Sequence, residues 1–353
     1  MILITFKNGQ GLGNQLWLLL TAVFLSKKLN RELKIRNFKK FKGKSLMSNY
    51  LIKNIKFFNI QDIDKEWILI DAFSFIDLTN NENIYFKENK SFIEFVNLFS
   101  NVEICGNFQS DTLLQNPEDA RKLFKEFNSF SSELLTKNKK YCLINIRGGD
   151  YLGLKKSPCV EIDYFLNAME YIKKIHKDIC FYIITDDYLY ASIILPNIEI
   201  IKGNSANDFK HLYLAEYLIL SNSSFAYFPT FISTNLKLAI APYKWAGSNQ
   251  NKSKKNWLSP HNYSRKFIFM STNGKIYSDL NYFKVAYSTN QKLIPNYKKF
   301  ISSSKYFEVE DKDTISSTNF LRKNFKRFLV LSIWKFKRLV IDIKNVNKKY
   351  FLK

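Results

Sequence analysis

The sequence predicts an α/β fold, with parallel sheets covered by helices on both faces. Three observations carry this. Short apolar runs rich in strand formers alternate with stretches of helical periodicity, most clearly between residues 141 and 242. Several of those runs end in Gly, Asp or Ser, where parallel sheets place their ligands. The chain has 353 residues, 46% hydrophobic and 16% aromatic, which is enough for two core-forming domains.

In chain order, Ile2 to Phe6 reads as a first strand. A Gly-rich loop follows, Gln10-Gly11-Leu12-Gly13-Asn14-Gln15, then a helix from Leu16 to Leu25 ending in Lys27-Lys28. Strand, Gly loop and helix make a βα unit with a helix N-terminus at the loop. The spacing is neither G-x-G-x-x-G nor a P-loop, so the residues alone also allow an ordinary βα turn. Glu32 to Arg36 reads as a second strand and residues 37–44 as a basic solvated loop. Further strands are expected at Trp67 to Ile70 and Val102 to Gly106. A helix opens at Pro117-Glu118-Asp119, with Pro in the first turn and acids complementing the helix dipole. The polar stretch 129–140 is the expected linker. It divides the chain into an N-terminal domain (1–135), a second domain (136–265) and a C-terminal extension (266–353).

After the linker, Tyr141 to Arg147 reads as a buried strand broken by Gly148-Gly149. A Gly turn carrying Arg147 and Asp150 at a strand end is a way to build an anion site. The planar fork of Arg147 suits a phosphate. The Gly pair lets backbone and ligand approach closely. Asp150 would accept hydrogen bonds from the loop's own backbone or from a sugar hydroxyl. A helix follows at about 161–176, with Phe165, Met169 and Ile172 on one face. Then come a strand from Cys180 to Thr185 ended by Asp186-Asp187, a short strand at Ile198 to Ile201, and a helix from Ala206 to Tyr217. Leu218 to Leu220 leads into Ser221-Asn222-Ser223-Ser224-Phe225, followed by a helix at about 230–238 and a strand from Ala239 to Ala241. Arg147, Asp186, Asp187 and the serines all fall at strand carboxyl ends, so they should converge on one crevice. Residues 248–265 read as a polar loop, and 266–300 fit no single pattern.

The net charge is +23, from 54 Lys and Arg against 31 Asp and Glu. Such an excess implies an anionic partner, or the Lys- and Asn-rich bias of an AT-rich genome. Residues 322–353 hold eleven basic residues against one acid, interleaved with large apolar side chains. That pattern reads either as a basic amphipathic helix resting on anionic lipid or as a helix packed on the protein with a solvated face. The excess lies at the C-terminus rather than in a recognised nucleic-acid module, which argues against a nucleic-acid partner. Four scattered Cys and three His lack metal-ligand spacing, so no metal site held by His is expected. No leader pattern and no apolar run of about 18–20 residues is found, so the expected location is cytoplasmic, at most peripheral on a membrane.

Taken together, the motifs resemble a known family. Gly11-Leu12-Gly13-Asn14-Gln15 resembles the G-G-L-G-N-Q motif of the α-1,2-fucosyltransferases, glycosyltransferase family 11. Asn145-Ile146-Arg147-Gly148-Gly149-Asp150-Tyr151 resembles their H-x-R-R-G-D-Y motif. Thr185-Asp186-Asp187 resembles the S-D-D that ends the next strand. Asn222-Ser223-Ser224-Phe225 with Ala241-Pro242-Tyr243-Lys244-Trp245 resembles the N-S-S-F segment and the I-A-P-x-x-W tail. The resemblance covers residues 8–245 in order and spacing.

The resemblance implies a GT-B-like fold, with two Rossmann-like domains facing across a cleft and a basic helical C-terminal extension. It implies an inverting glycosyltransferase that uses GDP-fucose as donor, needs no metal or other cofactor, and acts on a glycan acceptor, lipid-linked in one reading. Arg147 would hold the β-phosphate. Ser223, Ser224 and Phe225, with Asn222, would line the phosphate and sugar pocket. Asp186, with Asp187, would lie near the guanosine. Gly11, Gly13, Asn14 and Gln15 would reach the donor from the first domain. Gly149 and Asp150 would complete the Arg147 loop, and Asp150 and Asp187 are the candidate bases. Three departures stand out: Asn145 for the usual His, Gly148 for the second Arg, and Ala226-Tyr227-Phe228-Pro229 for the usual W-x-G stretch. They make the chain a divergent member, with a related GT-B enzyme using another nucleotide sugar as the alternative.

Overall fold

Thirteen short strands make two sheets in the described part of a computed structural model. It describes residues 1–59, 65–71, 93–94, 96–106, 117–124, 140–153, 159–243, 267–277, 298–301, and 331–341 apart from 334 and 337. The first sheet contains β1 (Ile2–Thr5), β2 (Leu33–Arg36), β3 (Lys56–Phe57), β4 (Glu66–Asp71), β5 (Val102–Cys105) and β13 (Lys298–Ile301), in the order β13-β4-β5-β1-β2-β3. All pairs in it are parallel except β13 on β4. The second contains β6 (Tyr141–Ile146), β7 (Cys180–Thr185), β8 (Glu199–Ile200), β9 (Tyr217–Ile219), β10 (Leu238–Pro242), β11 (Phe267–Met270) and β12 (Ile276–Tyr277). Its order is β12-β11-β10-β9-β6-β7-β8, parallel apart from β12.

Read from its edge, the second sheet runs third, second, first, fourth, fifth, sixth strand. That is the doubly wound dinucleotide-binding order. The order reverses between β6 and β9, so the crevice for a ligand lies at their carboxyl ends. In the first sheet the reversal falls between β1 and β5. Two Rossmann-like sheets in one chain make the GT-B-like architecture the motifs imply.

The helices follow from their sequences. α1 (Leu12–Leu29) is apolar on nearly every side, and twelve of its residues are buried. A helix buried all round must be covered on two faces. One face lies on β1, where Ile2, Ile4 and Phe6 are fully buried. The other meets α7 (Ser224–Ile232), where Trp17 stacks on Tyr227 at 5.1 Å and meets Phe228 edge-on at 5.0 Å. One hydrophobic cluster therefore runs from the first sheet through α1 and α7 to Leu143, Leu218 and Phe269 of the second. The alternate residues Cys142, Ile144 and Ile146 point the other way, onto α4 (Ile162–Ile175) and α5 (Tyr188–Ile194). The remaining helices are α2 (Asn49–Asn54), α3 (Pro117–Arg121) and α6 (Ser205–Leu214).

Several elements differ from the sequence reading. α1 starts at Leu12, so Gly13, Asn14 and Gln15 form its first turn rather than a loop. Residues 37–44 carry two 3₁₀ turns, Phe38–Lys40 and Lys44–Leu46, because Phe41 is buried and stacks on Phe6. α5 had no counterpart in the sequence reading, although Asp187 caps it by accepting from Tyr190 N–H at 3.1 Å. α6 stops at Leu214, and Tyr217 joins the sheet. The helix expected at 230–238 lies at Ser224–Ile232 and carries Pro229 inside it. Residues 267–277 add β11 and β12 to the second sheet. The expected linker, apart from Lys140, and the loop 248–265 lie outside the described residues.

Candidate active site

The crevice at the β6/β9 reversal is walled by two segments, the 147–153 turn and the 221–224 turn. Both are tied to the sheet by polar side chains. Ser221 Oγ donates to Asn145 Oδ1 at 2.6 Å, and both residues are buried. Asn145 therefore spans the reversal point as a neutral hydrogen-bonding group, where the family has His. The single Tyr164 Oη proton is shared between the carbonyls of Leu220 (2.8 Å), just past β9, and Ile240 (3.0 Å), in mid-β10, tying the two strands together. Tyr151 Oη donates to the Asn222 carbonyl at 3.3 Å and links the two walls.

Arg147 stands at the centre. Its Nη1 pairs with Asp186 Oδ2 and its Nη2 with Asp150 Oδ1, each at 2.6 Å. The guanidinium lies 5.1 Å from the Tyr151 ring. The Arg147 side chain is 27% exposed and that of Asp150 60%. The guanidinium thus holds two carboxylates at an open edge, one firmly placed and one solvent-facing. Asp186 also accepts the Gly148 N–H at 2.9 Å. Burial raises the Asp186 carboxyl above its ordinary range, while Arg147 and the Gly148 N–H oppose that rise. Burial likewise raises the Tyr151 phenol, with Arg147 acting against it.

Both glycines are fixed by space, and Gly149 by its backbone as well. A Cβ at Gly148 would meet Tyr190 Cδ1 at 2.7 Å and Asp187 Cβ at 2.9 Å. No side chain fits there, so the second Arg of the family is excluded sterically in this chain. Gly149 has φ +31°, and a Cβ on it would run into the Asp186 carboxylate.

The first-domain motif arrives from the other side. A Cβ at Gly13 would meet the backbone of Ser224 and Phe225, with Phe225 Cα at 2.6 Å. The G-L-G-N-Q and N-S-S-F motifs are thus in backbone contact. Asn14 is partly exposed beside that contact, and a Cβ at Gly11 would meet open space. Ser224 and Phe225 are partly buried, while Asn222 and Ser223 are buried.

The sequence-derived residues therefore fall into two groups. Arg147, Gly149, Asp150, Asp186, Asn222, Ser224, Phe225 and Gly13 gather around the reversal point through the contacts above, with Ser223 and Asn14 as their chain neighbours and Gly11 outside those contacts. Gln15 and Asp187 are engaged elsewhere. Gln15 is fully buried, donates to the Lys40 carbonyl at 3.0 Å and accepts from Lys42 N–H at 2.9 Å, so it holds the 38–46 segment. Asp187 is 3% exposed and serves as the α5 cap. Tyr151 and Tyr164 were missed as organisers of the site. The Tyr in the R-G-G-D-Y run was the available signal for the first; nothing local marks the second.

Among the described residues, no group of three or more His, Cys, Asp or Glu is placed to hold a metal ion. Cys105, Cys142 and Cys159 are buried and Cys180 is partly buried, none of them in a disulfide, and burial pushes the Cys142 thiol well up. No described helix is long and apolar enough to cross a membrane.

Comparison with solved structures finds distant likenesses in outline only. An Arabidopsis thaliana FUT1 mutant in complex with GDP is 9% identical, with a TM-score of 0.43, covering 74% of this chain and 76% of that one. The NodZ alpha-1,6-fucosyltransferase soaked with GDP-fucose is 14% identical, with a TM-score of 0.38, covering 67% and 93%. The E. coli heptosyltransferase WaaC with ADP is 9% identical, with a TM-score of 0.33, covering 69% and 87%. No curated protein sequence matches. The profile of glycosyl transferase family 11 matches residues 17–265, beginning just after Gln15. With most of its length matched and both motif-bearing walls at one crevice, the chain is a glycosyltransferase and belongs to glycosyl transferase family 11.

Proposed function

We propose that the protein transfers L-fucose from GDP-fucose to a glycan hydroxyl, with inversion at the anomeric carbon and an α-1,2 linkage. The observation that carries this is Arg147, a guanidinium at the strand-order reversal of a doubly wound sheet, held at Nη1 by Asp186 and paired at Nη2 with the solvent-facing Asp150. In such a transfer the C1–O bond to the diphosphate breaks, and the electron pair stays on the β-phosphate oxygen. The acceptor oxygen bonds to C1 from the opposite face and gives up its proton. Negative charge thus grows on the diphosphate, and a fixed guanidinium with serine hydroxyls and backbone N–H groups neutralises it. Arg147 then exchanges Asp150 for a phosphate oxygen. In this reading Asp150, so released and already the more exposed carboxylate, receives the acceptor proton. Ser223 and Ser224 face the phosphates, and Asp186 holds the loop.

In this reading the second sheet carries the nucleotide sugar and the first carries the acceptor, with Asn14 at their junction. The acceptor is a glycan of a surface polysaccharide, assembled on a lipid carrier. A second reading keeps the fold and exchanges the donor. The missing second Arg at Gly148 and the Asn145 substitution favour it, since both change the phosphate wall.

Calorimetry with GDP, GDP-fucose, GDP-mannose and UDP-sugars separates the readings. GDP and GDP-fucose should bind, and UDP-sugars should not. Tight binding of a UDP-sugar with none of GDP-fucose would overturn the fucosyl reading. NMR of the product of a successful transfer gives the linkage.

A further inference from the structure

The described residues between 331 and 341 are helical and dock on the second domain by one face only. Leu331 is buried in the α4/α5 side of the core, with Ile341 packed against it. Arg338 Nη1 donates to the Ile194 carbonyl at the end of α5 at 3.1 Å. The opposite face is turned to solvent and mostly apolar: Ile333 is 50% exposed, Phe336 67% and Leu339 56%, with the small Ser332 between them. With 100° between successive residues, these three fall on one side of the helix and Leu331 with Arg338 on the other. Lys335 is exposed beside them. Water-facing helix faces are normally polar, so an apolar face of this kind marks a surface that is covered in use.

The charge around it identifies the cover. The sequence from 322 to 353 carries eleven Lys and Arg against the single acid Asp342. A shallow groove of about 320 Å³ runs between this helix and the start of α4, lined by Glu161, Ile162, Asp163, Phe336, Val340 and Ile341. The groove's two acids lie at the N-terminus of α4, and the helix contributes only apolar side chains to it. An apolar stripe with Lys335 exposed beside it, in a segment whose sequence holds eleven basic residues, fits the boundary between headgroups and acyl chains of an anionic bilayer, where bulky apolar residues insert and lysines meet phosphates.

We propose that the Ile333/Phe336/Leu339 face is a docking surface for an anionic membrane. The helix lies in the plane of the bilayer surface, with Leu331 and Arg338 holding the catalytic domain to it. The inference does not depend on which nucleotide sugar the enzyme uses.

The test is flotation of the full-length protein with vesicles. One set is phosphatidylcholine alone; in the other about one lipid in three is phosphatidylglycerol. The protein should float with the anionic vesicles only, and binding should weaken as salt rises. Phe336→Asp with Leu339→Asp should lower the apparent affinity by roughly tenfold or more, and Lys335→Glu by severalfold. Both side chains are exposed, so the double variant should keep its melting temperature and its nucleotide binding. Equal flotation with both vesicle types, no flotation with either, or undiminished binding by the folded double variant would each overturn the proposal. So would tighter binding to a random DNA duplex than to anionic vesicles.

Discussion

Gly13 is the residue at which the two halves of the molecule touch most closely, and Gly13→Ala tests that contact. The added Cβ would lie 2.6 Å from Phe225 Cα and nearer still to the peptide joining Ser224 and Phe225. Ordinary van der Waals contact for such a pair is about 3.5–4.0 Å, so the helices must part by about an ångström. The obstacle is backbone, which cannot rotate aside as a side chain would. Overpacking of this kind costs about 1–3 kcal/mol, and a backbone obstacle puts the value near the top. Parting the helices also loosens Trp17 from Tyr227 and Phe228. A melting temperature lower by roughly 3–5 °C is expected. Because the shift moves Ser223 and Ser224, the KM for the donor should rise as well. Gly11→Ala is the matched control: its Cβ meets nothing within 4 Å and its φ is −67°, so only the N-cap preference changes, a cost of at most about 1 kcal/mol. Scanning calorimetry and donor-concentration kinetics on both variants give the answer. If the two melt at the same temperature, the close helix contact is refuted.

Three further outcomes follow, two from the site and one from α6. Arg147→Ala should lower kcat/KM at least about a hundredfold with GDP-fucose, and Arg147→Lys should not restore it, since an ammonium cannot span two partners as the fork does; steady-state kinetics that leave either variant near wild type would remove Arg147 from the chemistry. Gly148→Arg, which restores the family's usual residue, should destabilise rather than activate, because Tyr190 and Asp187 fill the space; a gain in activity with an unchanged melting temperature would contradict the packing. Burial pushes the Asp208 carboxyl up to about 6 from 3.8. Between those values the folded chain binds more protons than the unfolded one, so this group's contribution falls as pH rises from about 4 past 6. Asp208 is partly exposed, and screening limits the change to about 1 kcal/mol. Denaturant titrations at pH 4 and pH 7 should show the difference in wild type and lose it in Asp208→Asn.

Much of the second sheet was legible because its strands are buried on both faces and read as continuous apolar runs, as at Tyr141–Ile146 and Cys180–Thr185. The Arg147 turn was legible for the same reason: two glycines and two charges interrupt such a run. Other features were hidden for identifiable causes. α7 was placed too late because Pro229 reads as a helix start, whereas here it sits inside a helix whose opening turn is fixed by packing on α1. Asp187 looked like a ligand of the crevice because an N-cap and a site carboxylate occupy the same place at the end of a strand. Gln15 looked like a donor contact because helical phase alone decides which neighbour of Gly13 turns inward, and a loop reading assigns no phase. β13 has no local signal, since its pairing with β4 spans more than two hundred residues and depends on register with Trp67 and Ile68.

That last pairing changes what counts as a separable piece of this protein. The chain builds the first sheet, then the second, and then returns a strand to the first. Neither half is a contiguous gene fragment. A chain cut at 265 would lose β11 and β12 from one sheet and the β13 border from the other, exposing the backbone of β4 as an open edge ready to pair with a second molecule. Exchange of the N-terminal half between relatives therefore needs two crossover points, with the 298–301 segment travelling alongside it.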